Sequence, residues 1–219
     1  DLSMTASGGG LRIRQTTTVD TNGSWVLVNT VFSNAGATPV TDLYYHRTCD
    51  PDNDVTYSSN FSTINSVTWQ NDINHRVLVG SYGFAMYSGA YLALGTKDCR
   101  AKCLIYQSWP PPAGPANNLD LIYSGTAAVG TTYYTPGQTS VNQDIAIGLV
   151  YKLGTLAPGD STMISYAYIL RDSLQIDSVF KEPTLVVNCV AAAPSGPAPA
   201  PTYDTFNACE HPGVVTLPV

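Results

Sequence analysis

The stretch from Asp144 to Leu170 constrains the fold more than any other part of the chain. It holds two apolar runs of strand length, Ile145 to Leu153 and Ser161 to Leu170, separated by Gly154 to Asp160. Within the separator, Pro158-Gly159 suits a turn, because proline presets φ and glycine then accepts φ > 0. The second run alternates: Met163, Ser165, Ala167 and Ile169 face one way, Ile164, Tyr166, Tyr168 and Leu170 the other. That is a strand's period of two, not a helix's 3.6. Both faces are largely apolar, so this strand is expected centrally in a sheet that packs on something else.

The rest of the chain repeats the theme. Leu11 to Thr18 alternates, Asn22-Gly23 is a tight-turn signal, and Trp25 to Phe32 reads as the returning strand of a hairpin. Ser33 to Pro39 turns the chain into a strand over Val40 to His46. Further strands are predicted at 66–69, 76–80, 83–87, 91–95, 119–123, 127–134 and 184–191. A short helix within 171–181 is expected to turn Leu174, Val179 and Phe180 inward. Only 12% of residues are charged, against 18 Gly, 15 Pro and 14 Tyr, the balance of an all-β extracellular protein with punctuated turns.

Two motifs carry a resemblance. Val31-Phe-Ser-Asn-Ala-Gly-Ala-Thr-Pro-Val-Thr-Asp-Leu43 and Leu153-Gly-Thr-Leu-Ala-Pro-Gly-Asp-Ser-Thr162 resemble the opening and closing motifs of immunoglobulin-like repeat domains in large secreted and surface proteins. The resemblance implies a β-sandwich serving as spacer, stalk or adhesive module. The motifs stand about 110 residues apart, roughly twice what a compact immunoglobulin-like repeat allows, so extra strands are expected between them.

The expected organisation has four parts. Residues 1–10 are an N-terminal strand with a glycine hinge (Gly8, Gly9, Gly10), and 11–190 the β-sandwich. Residues 191–202 are a Pro/Ala-rich linker, and 203–219 an extended C-terminal segment. Polyproline geometry, at ~3.1 Å per residue, lets that linker span ~35 Å. The chain opens on Asp1 and reads as mature or trimmed.

Five cysteines (Cys49, Cys99, Cys103, Cys189, Cys209) and two sequons, at Asn22 and Asn60, point to an oxidising compartment and a secreted or cell-surface glycoprotein. Cys189 with Cys209 is the preferred pair, and Cys49 with Cys99 or Cys103 the second; an odd number leaves one thiol over. Zinc on His46, Cys49, Cys99 and Cys103 is the weaker alternative to a disulfide. Asp50, Asp52 and Asp54 alternate within one tight loop. They fit either hard-oxygen ligands for a structural calcium or ordinary turn chemistry. No other cofactor is expected.

Three classes of function are disfavoured. The net charge is −6 with only ten Lys and Arg, which argues against nucleic acid. No apolar run is long enough to insert in a membrane. No Gly-x-Ser-x-Gly, His-Glu-x-x-His or phosphate loop occurs, so no enzymatic activity is expected. The leading expectation is a structural subunit of an extracellular fibril or surface assembly, polymerising head-to-tail with copies of itself. It rests on two terminal strands on leashes: Leu2 and Met4 before Gly8-Gly9-Gly10, and Val215, Leu217 and Val219 after the proline linker. The alternative is a carbohydrate-binding or adhesive module. In that reading Trp69, Trp109, Tyr133 and Tyr134 stack on glycans.

Overall fold

A computed structural model describes residues 2–19, 24–84, 90–106, 119–125 and 135–180. Residues 1–180 form one unit, and Lys181–Val219 a second that lies outside the described residues. The strands are β1 (Leu2–Gly8), β2 (Leu11–Val19), β3 (Trp25–Asn34), β4 (Val40–Cys49), β5 (Thr63–Gln70), β6 (Val77–Gly83), β7 (Tyr91–Thr96), β8 (Ala101–Ile105), β9 (Thr139–Gln143), β10 (Ile147–Leu156) and β11 (Ser161–Ile169). The described helices are α1 (Val55–Ser58) and α2 (Leu119–Ser124), each between two strands, and α3 (Gln175–Val179) after β11.

The strands form two antiparallel sheets, an all-β sandwich. The larger has the order β1-β2-β3-β11-β7-β6-β5-β9 and the smaller β4-β10-β8. Alternation builds the core between them. Val28, Phe32, Val79, Leu94, Ile164 and Tyr166 from the large sheet meet Cys103, Ile105, Ile147, Leu149 and Tyr151 from the small one. The opposite face of the large sheet packs Leu78, Ala167 and Ile169 against Ile176 of α3. The outer face of the small sheet packs Leu104, Ala146 and Val150 against Ile122 of α2. β11 is therefore apolar on both faces because both faces are covered, and it holds a central place in the large sheet as its pattern requires.

β2 and β3 pair in unbroken register from Leu11↔Asn34 to Val19↔Val26, the hairpin read around Asn22-Gly23. The two motifs behind the immunoglobulin-like resemblance meet in space. The Asn34 side chain, almost fully buried, donates to the carbonyls of Thr38 (2.8 Å) and Leu156 (2.9 Å) and accepts from Gly36 N. The backbone N–H of Asn34 donates to Asp160 O (2.9 Å), and that of Gly159 to Asn34 O (2.8 Å). The strands expected between the motifs are β5 to β9, four of them on the large sheet.

The predicted strand at 119–123 is instead the helix α2. Leu119, Ile122 and Tyr123 stand at i, i+3 and i+4, a spacing that puts them on one helical face toward the small sheet. Leu174 is 66% exposed; Ile176 takes the inward place expected of it, with Val179 and Phe180 packed alongside. The strands predicted at 127–134 and 184–191 lie outside the described residues.

Candidate functional site

The run Gly8-Gly9-Gly10 closes a hairpin and does not form an open hinge. β1 pairs with β2 from Leu2↔Thr17 to Gly8↔Leu11, with Met4 opposite Gln15. Gly9 (φ 55°) and Gly10 (φ 85°) supply the two positive φ values that a two-residue hairpin turn demands. A Cβ on Gly10 would sit 3.0 Å from Gly36 Cα, so the turn also packs on the β3–β4 corner. Among the described residues β1 is thus an edge strand of the large sheet, with β2 on one side only. The other assembly candidates, Val215, Leu217 and Val219, lie outside the described residues.

The carboxylate cluster differs from the one expected. Asp50 and Asp52 converge with Asp144, not with Asp54, and the oxygens of the three lie within 4.8 Å of one another. Asp54 opens α1 and is fully buried. Asp144 precedes β10, whose Ile147 pairs with Cys49 at the end of β4, and that register carries Asp144 to the loop after β4. Asp52 holds a left-handed φ of 34° within this loop. One oxygen of Asp50 and one of Asp52 are buried without a hydrogen-bond partner. Burial, then Asp52 and Asp144, push the Asp50 carboxyl up to about 6. Burial, then Asp144, also raises Asp52. Three oxygens that repel one another in one place are an arrangement suited to a hard divalent cation.

The loop after β4 crosses from the small sheet to the large one, and the segment from β9 to β10 crosses back. A cation on Asp50, Asp52 and Asp144 would therefore pin both crossovers at one end of the sandwich.

Cys49 and Cys103 are both free thiols, so the expected pairing of Cys49 with Cys103 or Cys99 is not made. Cys103 is fully buried on β8 with its Sγ 3.3 Å from Trp69 O, and it serves as core. Cys49 is half-buried, and burial raises its thiol. Cys99 is disulfide-bonded. Cys189 and Cys209 lie outside the described residues. Zinc gains no support, because the only group with metal-ligand spacing among the described residues is the aspartate cluster.

His46 has a different role. It sits on the outer face of the small sheet, hydrogen-bonded to the hydroxyl of Tyr106. Burial depresses it to about 4. Gly148 lies between them on β10; a Cβ there would stand 3.0 Å from the Tyr106 ring and 3.4 Å from His46 Nε2.

Of the sequons, Asn60 lies in the described loop before β5, where its Oδ1 accepts from Ser62 N at 2.8 Å; Asn22 lies outside. Trp69, a candidate sugar platform, is half-buried with the Arg76 guanidinium 3.9 Å over its ring. Its face is therefore already occupied. Trp109, Tyr133 and Tyr134 lie outside the described residues.

The fold defines an all-β sandwich, and the class goes no further on sequence grounds. No family profile matches the chain, and no curated protein matches it in sequence. Among solved structures it is similar to a polysaccharide lyase, at 14% identity and a TM-score of 0.46. The likeness covers 78% of this chain and 21% of the lyase, so the chain spans about a fifth of that protein. Likeness of that depth bears on neither activity nor substrate. Among the described residues, no helix is long and apolar enough to cross a membrane.

Proposed function

We propose that this chain is a non-enzymatic structural module of an extracellular fibril or surface assembly, joining copies of itself through the edge of β1 that no other described strand covers. The observation that supports this reading is the edge itself. β1 is seven residues, LSMTASG, with no charge and no proline, and it pairs with β2 without a register shift. Edge strands normally discourage partners with lysine, proline, bulges or shortness. The opposite edge, β9, has such protection: five residues and a register shift against β5. An open, regular, uncharged edge accepts an added strand through main-chain hydrogen bonds.

The added strand in this reading is the Val214 to Val219 run of a neighbouring copy, delivered by the proline linker. Head-to-tail addition does not close on itself and builds filaments. A structural calcium on Asp50, Asp52 and Asp144 belongs to the same reading, as does secretion into an oxidising, calcium-rich compartment.

Light scattering and negative-stain microscopy test the reading on three chains: the full chain, the full chain with Thr5→Lys, and a chain lacking Tyr203 to Val219. Filaments or a concentration-dependent rise in size are expected for the full chain alone. Monomers at every concentration in all three would sink the proposal.

A further inference from the structure

The small sheet carries a groove on its outer face, and the geometry points to a binding site there for a neutral saccharide. This goes beyond self-assembly and holds whether or not copies associate. The groove is open, of about 700 Å³, a volume within the range of small-ligand sites. It runs between the start of β4 and the start of α2.

Tyr44 and Leu119 supply its apolar lining and Asp42, Asp120 and Lys152 its polar rim, while Leu43 borders it but packs against the core between the sheets. Local backbone shapes it. The pairing of β10 with β4 shifts between Lys152↔Tyr44, Gly154↔Leu43 and Leu156↔Val40, and Asp42 takes a left-handed φ of 50° in the strand opposite. Bulges of this kind re-aim side chains and interrupt pairing. A non-glycine residue at positive φ is strained, and such strain concentrates at functional positions.

The polar rim is pre-set. The Tyr44 hydroxyl donates to Asp120 Oδ1 at 2.5 Å, and Lys152 Nζ reaches the same oxygen at 3.3 Å. Lys152 also lies 5.6 Å from the Tyr44 ring centroid. Those two partners, Tyr44 first, hold the Asp120 carboxyl below its usual range, so it stays an acceptor. Asp120 and Lys152 are still more than half exposed, so each keeps hydrogen-bonding capacity toward solvent.

A partly apolar aromatic floor beside carboxylates and an ammonium matches a pyranose, whose C–H face packs on a ring and whose hydroxyls donate to carboxylates and accept from an amine. Two rim carboxylates against one rim ammonium disfavour an anionic sugar. Arg76 lies closer over Trp69 (3.9 Å) than Lys152 does over Tyr44 (5.6 Å), so Tyr44 on the other sheet is the less covered ring.

Isothermal titration of the full chain with cellohexaose, xylohexaose, mannohexaose, laminarihexaose and oligogalacturonate tests the inference. Binding to at least one of the four neutral hexasaccharides is expected, with none to oligogalacturonate. Tyr44→Ala should weaken it about tenfold or more, equivalent to about 1.4 kcal/mol. Tyr44→Phe keeps the ring, and affinity should fall by less than in Tyr44→Ala. Melting temperatures identify any variant that fails to fold; in that case Lys152→Gln takes its place, expected to weaken binding in a protein of unchanged stability. No binding to any neutral hexasaccharide, binding unmoved by the substitutions in folded protein, or binding only to oligogalacturonate would each overturn the assignment.

Discussion

Asp50 and His46 contribute to the pH response of this domain in opposite senses. The Asp50 carboxyl is raised from its ordinary 3.8 to about 6. Its folded-state pKa lies above the unfolded one, so its contribution is fully favourable below 3.8 and is lost as pH rises through 6. Discounted for the solvent that reaches it, that swing is about 1 kcal/mol. His46 is lowered from 6.5 to about 4. Its contribution is present above 6.5 and lost as pH falls through 4, a swing on the order of 2 kcal/mol. Over pH 4 to 6.5 the two oppose each other. Thermal melts in chelator should therefore show a shallow pH dependence for the native chain. In Asp50→Asn the loss of stability on acidification should become steeper, because one of the raised carboxyls that oppose the histidine is gone. In His46→Gln stability should instead rise as pH falls. A slope of the same sign in both variants would refute this account.

Individual elements are held by side chains that no strand pattern reveals. β8 ends the small sheet, yet Gln70 of β5 reaches across the sandwich to it. Gln70 Nε2 donates to Cys103 O, and Cys103 N donates to Gln70 Oε1, both at 2.8 Å. Arg100, before β8, ties the same edge to β11 through Thr162 Oγ1 at 2.7 Å and Met163 O at 2.6 Å. Gln70→Ala leaves a donor and an acceptor of β8 unpaired in the core, a loss of about 2 kcal/mol by chemical denaturation. Asn34 closes the corner where the two separated motifs meet; its side chain is almost fully buried, with the bond to Leu156 O buried and those to Thr38 O and Gly36 N part-buried. Asn34→Ala should cost about 2–3 kcal/mol, read the same way. α2 shows the opposite lesson. Leu-Asp-Leu-Ile-Tyr-Ser suits a strand or a helix on composition, and the apolar surface of β10 and β8 decides for the helix by offering a partner to Leu119, Ile122 and Tyr123.

At the scale of the molecule, the aspartate cluster lies on two crossovers between the sheets, so a calcium bound there should act on global stability. A hundredfold excess of calcium over its Kd should add about 2.7 kcal/mol at pH 7, or roughly 5–10 °C in Tm for a domain of this size. Asp144→Asn should abolish the response; Asp54→Asn, judged among variants that fold, should retain it. A calcium-independent Tm in the native chain would rule the cation out. The sequence by itself determined the strand-rich class, the central place of β11, the β2–β3 hairpin and the loop that supplies Asp50 and Asp52. These rest on local periodicity and turn chemistry, which neighbouring residues carry. Tertiary structure alone decided that Asp144 and not Asp54 completes the cluster, that Gly9 and Gly10 close a turn, that Cys49 stays free, and that Tyr44 meets Lys152 and Asp120. The Asp144 and Tyr44 contacts join residues far apart in the chain and are set by sheet register and by which face each sheet buries. A one-residue shift in that register would turn Tyr44 and Lys152 to the other face of the small sheet.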